Sequence, residues 1–324
     1  MSSLVETMMY VGRVPWHGDG EYVGEDAILS DEAMRRSKLD WRVDKKPLFT
    51  YVDGEAIEIP SRKALVRDSD NRVLSLISNR YSEIQNETSF KFMDSLVGEG
   101  LMRYHTAGSL DGGKRVWLLG KVGQSEIVPG DTVDHFLFLH NGHDGKHGLR
   151  VLWTDVRVVC ANTARAALSK GAKSGVSIRH RGDVMAKLSD AQEVLGLANE
   201  AFDESANFMR GLAETPMTAR TWVDLCLELV PEPATDENGD FSKRAMTRVN
   251  NERSALTELF LGGTGTDIPG VAGTAWGAYN AITEYASYYR GNKTSASKRF
   301  GSLMLGAGND FVQTGTSFLR ELAA

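Results

Sequence analysis

Lys and Arg side chains are concentrated in one stretch of this 324-residue chain. Between Asn141 and Arg181 there are eight Lys and Arg residues against Asp144 and Asp155, a local charge near +6 in a chain whose formal net charge is −6. A basic segment within an acidic protein is typical of a site that holds a polyanion while the remaining surface repels nonspecific contacts. The sequence therefore predicts phosphate binding and identifies no catalytic step.

The strand predicted before Cys160 places Arg157 in an otherwise apolar run, where an unpaired arginine is costly to bury. Either Arg157 forms an ion pair with a carboxylate such as Asp155, or it faces a phosphate-binding groove. A helix capped at Asn162 or Thr163 would add amide donors to that groove. The predicted phosphate contacts are Arg150, Arg157, Arg165, Lys170, Lys173, Arg179 and Arg181, with Lys114 and Arg115 added at a hairpin tip, where cations are often merely solvated.

Four of the seven histidines, His135, His140, His143 and His147, surround one Gly-rich turn. His143 and His147, together with Asp144, could collect a divalent metal for hydrolysis of a phosphodiester or nucleotide. Their spacing matches no established ligand motif. A solvated hairpin tip and a mobile loop that contacts phosphate are the alternatives. We predict no cofactor and no resident metal, with the metal-dependent hydrolase as the alternative.

Two tyrosines in the last quarter of the chain, Tyr285 and Tyr288, are candidates for base stacking. They lie off the apolar helical stripe formed by Trp276, Tyr279, Ile282, Ala286 and Tyr289, and lysines follow closely. Exposed tyrosines beside lysines form surfaces on which unpaired bases stack. Ordinary packing or a subunit contact is the alternative role for both rings.

The elements that must position these residues indicate an α+β fold. Period-2 alternation around turn residues predicts antiparallel hairpins that pair 64–67 with 73–77, 102–108 with 114–122, and 133–140 with 149–160. A packed helix is predicted at Asn86–Val97. The second half is mostly helical, with helices at 162–168, 184–212, 217–229, 242–261, 274–289 and 311–322. We divide the chain into a sheet domain with the basic strand, 1–183, and a helical region, 184–324, with an acidic loop at 231–240.

The composition is that of a globular protein, with 41% hydrophobic and 25% charged residues. The two cysteines lie in apolar segments, so no disulfide framework is expected. The first residues lack the order of a signal peptide, and no apolar run approaches the roughly 20 residues that span a bilayer. We therefore expect a cytoplasmic protein without a membrane partner.

Several segments resemble the phage and plasmid-like proteins of unknown function. They include Pro15-Trp16-His17-Gly18, Asn79-Arg80-Tyr81 and the run Arg157-Val158-Val159-Cys160-Ala161-Asn162-Thr163. The resemblance runs along nearly the whole chain and implies a phage or mobile-element origin, with no activity assigned. The order of hairpins, helix and basic strand is also similar to that of phage single-strand annealing proteins, which form rings or filaments around single-stranded DNA. That similarity implies a function and no individual site residue.

Three functional hypotheses follow. The first is a non-catalytic, phage-type single-stranded DNA-binding and annealing protein that acts as a homo-oligomer in the host cytoplasm. The second is the metal-dependent hydrolase, with the metal in the His-rich loop. The third is a phage interaction protein that binds a host or phage factor through its acidic surface.

Overall fold

The computed structural model describes residues 5–12, 20–26, 28–97, 102–157, 162–164, 175–195, 198–235, 239–290, 302 and 307–324. Sheets built mainly of antiparallel strands occupy the N-terminal half, and helices occupy most of the C-terminal half. The predicted α+β class is confirmed. No helix in the described part of the chain has the length and apolar character needed to cross a bilayer.

The strands form two sheets. In chain order they are β1 Val5–Tyr10, β2 Glu21–Tyr22, β3 Val43–Val52, β4 Glu55–Arg67, β5 Val73–Ser78, β6 Arg103–Leu110, β7 Arg115–Val128, β8 Asp131–Gly142, β9 Leu149–Arg157, β10 Asn162–Ala164 and β11 Gly175–Ile178. The larger sheet has the order β10-β9-β8-β7-β6-β1-β2, with β11 also paired to β9, and the smaller sheet has the order β3-β4-β5. The predicted hairpins correspond to β4–β5, β6–β7 and the neighbouring strands β8 and β9.

The helices are α1 Ser30–Arg36, α2 Asn86–Val97, α3 Val184–Leu195, α4 Ala198–Glu214, α5 Ala219–Leu229, α6 Lys243–Gly262, α7 Ala275–Glu284 and α8 Ala307–Leu322. A π-helical turn, Tyr285–Tyr289, continues α7. Side-chain caps begin two of these helices: Thr218 accepts from the N–H of Thr221, and Thr274 accepts from the N–H of Gly277. The predicted helix at Asn86–Val97 is confirmed, and most of the later ones agree to within a few residues.

One helix prediction is wrong. The segment predicted to begin a short helix at Asn162 is instead strand β10, in which Asn162 pairs with Arg157 of β9 and Thr163 pairs with Val156. Its backbone groups therefore bond to a neighbouring strand, and no helix N-terminus faces an anion at Asn162. Helices α3 and α4 cover the helix predicted over 184–212 except for residues 196–197, which lie outside the described residues.

The chain divides into two compact units, each built from separate segments. The first unit takes Met1–Val122, Phe136–Trp153 and Lys173–Asn199, and the second takes Gly123–His135, Thr154–Ala172 and Glu200–Ala324. The predicted domain boundary after residue 183 stays a prediction.

Each unit has its own apolar core. In the first unit Leu39, Leu65 and Ile84 are almost fully buried. In the second unit Trp276 is completely buried, and its indole N–H donates to a carboxylate oxygen of Asp131 at 2.8 Å. The indole therefore enters the core with its polar group satisfied, as buried tryptophan requires.

A buried arginine ties the small sheet of the first unit to β1. Arg67 is 6% exposed, and its guanidinium donates two hydrogen bonds to Glu6 and two to Asp70, at 2.6–2.8 Å. It also lies over the Trp41 ring, 5.3 Å from the ring centroid. The hydrogen bonds from Arg67 lower the pKa of Glu6 and of Asp70, because they stabilise the ionised carboxylates.

We expect Arg67→Ala to destabilise the protein by about 3–5 kcal/mol, because it leaves the half-buried Glu6 carboxylate without its main partner. The matched control is Arg72→Ala, which removes an exposed partner of the same two carboxylates and should cost less than about 1 kcal/mol. Urea unfolding measures both values. The difference in unfolding free energy between wild type and Arg67→Ala should shrink as the pH falls below 4.5, the ordinary pKa of Glu6. The unfolded chain then takes up a proton that the ion pair disfavours in the fold. Equal losses in the two variants would contradict this account.

Candidate anion-binding site

A cleft of about 700 Å³ opens on the first unit where three segments meet. One segment lies at the end of β5, one is the loop between β8 and β9, and one follows β11. The residues that line the cleft are Ser61, Ser78, Asn79, Arg80, Tyr81, Gly145, Lys146, His147, Gly148, Arg179, His180 and Arg181. We call it the cationic cleft.

Main-chain contacts hold the segment after β11 against the end of β5. Tyr81 and Arg181 form an antiparallel bridge, and the N–H of Ser82 donates to the carbonyl of His180 at 3.1 Å. The rings of Tyr81 and His180 stack with centroids 4.8 Å apart and planes 10° from parallel. These contacts fix the backbone positions of Arg179 and Arg181, so both side chains are attached to a fixed part of the cleft wall.

The loop between β8 and β9 is pinned by its own hydrogen bonds. One carboxylate oxygen of Asp144 accepts the N–H groups of Lys146 and His147 at 2.9 Å, and the other lies 2.6 Å from Nδ1 of His147. Burial alone would raise the pKa of Asp144, but these hydrogen bonds hold it below its ordinary value. Gly148 closes the loop where a Cβ atom would lie 2.5 Å from the Ile178 carbonyl oxygen, so only glycine fits.

Neighbouring side chains anchor the start of the same loop. The Ser75 hydroxyl donates to the carbonyl of His143 at 2.8 Å, and the Tyr81 hydroxyl donates to the carbonyl of Gly142 at 3.1 Å. Lys146 is therefore carried by a loop with defined anchors. A freely mobile loop, one of the alternatives open from the sequence, does not describe it.

The charge of the cationic cleft is uncompensated. Arg80, Lys146, Arg179 and Arg181 are all exposed, and the lining residues include neither Asp nor Glu. Among the residues that the structure describes, none of these four cations makes an ion pair with a carboxylate. Several like charges in a concave surface focus the electrostatic potential and attract anions. Arginine also presents paired N–H groups that match the oxygens of a phosphate.

The structure brings only part of the predicted set into the cationic cleft. Arg179 and Arg181 line it. Arg150 is exposed on β9 opposite Ser177, and it lies outside the lining, as does the exposed Lys114. Arg115 is bound to the Asp111 carboxylate and is therefore neutralised at the hairpin tip. Arg165, Lys170, Lys173 and the side chain of Arg157 lie outside the described residues.

Arg80 and Lys146 are cleft residues that were not predicted as phosphate contacts. Each lies beside a turn, in the runs Asn79-Arg80-Tyr81 and Gly145-Lys146-His147-Gly148. A basic residue next to a turn is a weak signal, because most such residues are simply solvated. Long-range strand pairing is what brings them to the same cleft as Arg179 and Arg181.

The expectation of a solvated His-rich tip is wrong for His143. This side chain is completely buried, its Nε2–H donates to the Asn86 amide oxygen at 3.0 Å, and its ring meets Trp41 edge-on. Burial lowers the pKa of His143 to about 3 and that of His140 to about 4, so both are neutral at pH 7. Of the three predicted metal ligands, His147 is half exposed, whereas Asp144 is 15% exposed and bonded within its own loop. Within the described residues, no three His, Cys, Asp or Glu side chains form a group that could hold a metal.

The predicted stacking tyrosines are also placed differently. Tyr285 is 6% exposed and packs on Phe311, whereas Tyr289 is 48% exposed. Burial, and then the charge of Glu252, raises the pKa of Tyr285 to about 12. The π-helical turn explains the difference, because its i→i+5 bond from Arg290 to Tyr285 shifts the helical phase on which the prediction rested. Tyr289 lines a second cleft of about 690 Å³ in the second unit, together with Arg244, Arg248 and Asn251. The predicted Tyr288 is partly exposed and is not among the residues that line this second cleft.

Comparison with known proteins places the chain in a family. The sequence model of a family described as a domain of unknown function (DUF932) matches residues 73–304, which include all of the cationic cleft except Ser61. No curated protein and no solved structure matches the chain at a significant level.

The buried, neutral state of His143 should make the stability of the protein fall at acidic pH. Its pKa is lower in the fold than in the unfolded chain, so the unfolded state binds the extra proton as the pH drops from 6.5 toward about 3. Such a group lowers the free energy of unfolding by up to about 1.4 kcal/mol for each pH unit over that range. We expect His143→Gln, whose amide can still donate to Asn86, to reduce the slope of unfolding free energy against pH by roughly that amount. Urea titrations across this range test the expectation, and an unchanged slope would contradict it.

Proposed function

Since the chain belongs to the DUF932 family, a domain family of unknown function, we propose a role from the chemistry of the cationic cleft: it binds the phosphate backbone of a single-stranded nucleic acid. The observation that carries the proposal is the convergence of Arg80, Lys146, Arg179 and Arg181 in a cleft without acidic lining residues. A polyanion neutralises such a cluster and releases its own condensed counterions, which provides the driving force.

The lining favours backbone contact over base recognition. Tyr81 and His180 are both buried, 8% exposed each, and stack on one another, so neither offers a free ring face to a base. Apart from the half-exposed His147 ring, the lining groups that face solvent are guanidinium, ammonium, hydroxyl and amide groups, which are typical phosphate ligands. Binding through these groups is independent of base sequence and leaves the bases turned outward.

A single strand suits the dimensions of the cationic cleft. Its volume of about 700 Å³ lies within the range of small-ligand pockets, and this suits a short, flexible stretch of backbone better than the rigid cylinder of a duplex. In the second unit, the exposed Tyr289 ring beside Arg244 offers a place where a base could stack. The order of hairpins, helix and basic strand, which is similar to that of single-strand annealing proteins, points to the same choice.

The complete proposal is a non-catalytic protein of a phage or mobile element that coats single-stranded DNA in the host cytoplasm. Outward-facing bases on a bound strand are available to a complementary strand, so annealing follows from backbone binding by several copies. The hydrolase alternative gains no support, because His143 is buried and bonded to Asn86, away from the outward-facing His147.

Oligonucleotide binding should weaken steeply with salt. Four phosphate contacts to a single strand predict a slope of about −3 for log K against log salt concentration. We expect the double variant Arg179→Ala, Arg181→Ala to bind more weakly and to reduce the magnitude of the slope by about 1.4. Fluorescence anisotropy with a labelled oligothymidylate at several salt concentrations measures both quantities.

The matched control is Arg115→Ala, which removes an arginine already bound to Asp111 and should leave the slope unchanged. Binding that is independent of salt would contradict the proposal, as would equal effects of the control and the double variant. A duplex of the same length should bind more weakly. Equal affinity for the duplex would overturn the single-strand preference. Tighter binding of an RNA of the same sequence would identify RNA, not DNA, as the ligand.

A further inference from the structure

A two-stranded arm extends from the small sheet of the first unit. It consists of residues 47–61, which form the distal parts of β3 and β4 and the turn between them. Phe49 pairs with Glu58 and Val52 pairs with Glu55, whereas β5 pairs with β4 only from Arg62 onward. Asp53 and Gly54 both have positive φ, 51° and 89°, as a type I′ turn requires. The arm is therefore a regular hairpin without a third strand.

Both faces of the arm are in contact with solvent. Every residue from 47 to 61 is exposed except Leu48 and Ile59, which are partly buried. The cross-strand register puts Phe49 and Tyr51, 48% and 74% exposed, on one face, and puts Val52 and Ile57, 50% and 48% exposed, on the other. An isolated two-stranded hairpin is marginally stable in water, and exposed apolar surface of this kind marks an interaction site.

The arm is also acidic. It contains Asp53, Glu55 and Glu58 but neither Lys nor Arg. Glu58 lies 3.7 Å from Lys63 at the base of the arm, whereas Asp53 and Glu55 have no cationic partner among the described residues. This charge excludes nucleic acid as the occupant of the arm and requires a partner with a cationic surface.

The same chain carries such a surface in the cationic cleft. Its four exposed cations lack carboxylate partners within the described part of the chain. Leu76, which is 55% exposed, lies on the same face of β5 as the lining residue Ser78 and offers an apolar contact at the rim. The arm of the same copy touches this cleft at its base, where Ser61 lines the cleft and the Asn79 amide donates to the Pro60 carbonyl at 2.8 Å. Its acidic residues Asp53, Glu55 and Glu58 are not lining residues, so the cations of the cleft are left to the arm of another copy.

We propose that the acidic arm of one copy docks tip first into the cationic cleft of a second copy, so that Asp53 at the turn and Glu55 and Glu58 on the two faces of the arm meet Arg80, Lys146, Arg179 and Arg181. The inference rests on the anion-binding role proposed for the cleft and gives that cleft a protein partner. Each copy has one arm and one cleft, so two copies can exchange arms and close as a dimer, or the contact can repeat head-to-tail into a ring or filament. Single-stranded DNA and the arm compete for the same cations, so nucleic acid displaces the arm.

Two charge variants test the contact. The arm variant carries Asp53→Asn, Glu55→Lys and Glu58→Lys, with asparagine chosen because it tolerates the positive φ at that position. The cleft variant carries Arg80→Glu, Arg179→Glu and Arg181→Glu. All of these side chains are exposed, so both proteins should fold, which circular dichroism checks. Sedimentation velocity at rising protein concentration then gives the molar mass of each variant and of their mixture.

Wild type should exceed the 35.5 kDa of one chain as its concentration rises, and high salt should reverse the association. Each variant alone should remain a monomer. Their equimolar mixture should again exceed the mass of one chain as its concentration rises. The acidic arm of the cleft variant meets the intact cleft of the arm variant, and the basic arm of the arm variant meets the acidic cleft of the cleft variant.

Three results would overturn the proposal: a monomeric wild type at every concentration, an arm variant that associates like wild type, or a mixture that stays monomeric although both variants fold. If the cleft variant is unfolded, the arm variant alone still tests the proposal, because it must lose the self-association of wild type.

Oligothymidylate binding separates this proposal from the proposed function. The arm variant keeps its cleft and should bind at least as tightly as wild type. A wild-type protein that associates but does not bind oligothymidylate would instead overturn the nucleic-acid role alone.

Discussion

The cationic cleft depends on hydrogen bonds made by neutral side chains beneath it. Four like charges in one concavity repel one another, so a rigid framework must hold them in place. Tyr81 and Ser75 bond to the backbone where the β8–β9 loop begins, and His143 beneath the loop bonds to Asn86. Asn86 in turn donates to the carbonyls of Leu39 and Trp41. Each of these groups is uncharged at neutral pH, and the charged member of the framework is the Asp144 carboxylate, which pins the loop from within.

Buried histidine is suited to that position because desolvation keeps it neutral. An imidazole that is neutral donates from one nitrogen only, and in His143 that donor is Nε2, bonded to Asn86, while Nδ1 has no partner. A lysine or arginine there would bring a further charge into an apolar setting at a large energetic cost. The histidine-rich character of the loop is thus explained by packing and hydrogen bonding, and only His147 of the cleft lining faces solvent with its ring half exposed.

The arm and the cationic cleft are two parts of one electrostatic arrangement. The chain is acidic overall, so two copies repel at long range unless opposite charges are segregated on their surfaces. Acidic residues on a projecting hairpin and basic residues in a cleft provide that segregation. The same separation allows a polyanion to compete with the arm, because the cations of the cleft meet phosphate and carboxylate in similar ways.

The amino-acid sequence by itself determined most of the elements and a charge pattern that suits an anionic ligand. Hairpins, helix α2 and most later helices follow from local periodicity and turn residues, and the basic segment points to a polyanion because charge composition needs no coordinates. Which cations act together was decided only by the tertiary structure. Arg80, Lys146 and Arg181 come from three distant segments that long-range strand pairing brings together, whereas Arg115 is neutralised by Asp111. The burial of His143 and the phase shift at Tyr289 also depend on packing, because neither a solvation cost nor a π-helical turn is visible in residue spacing alone.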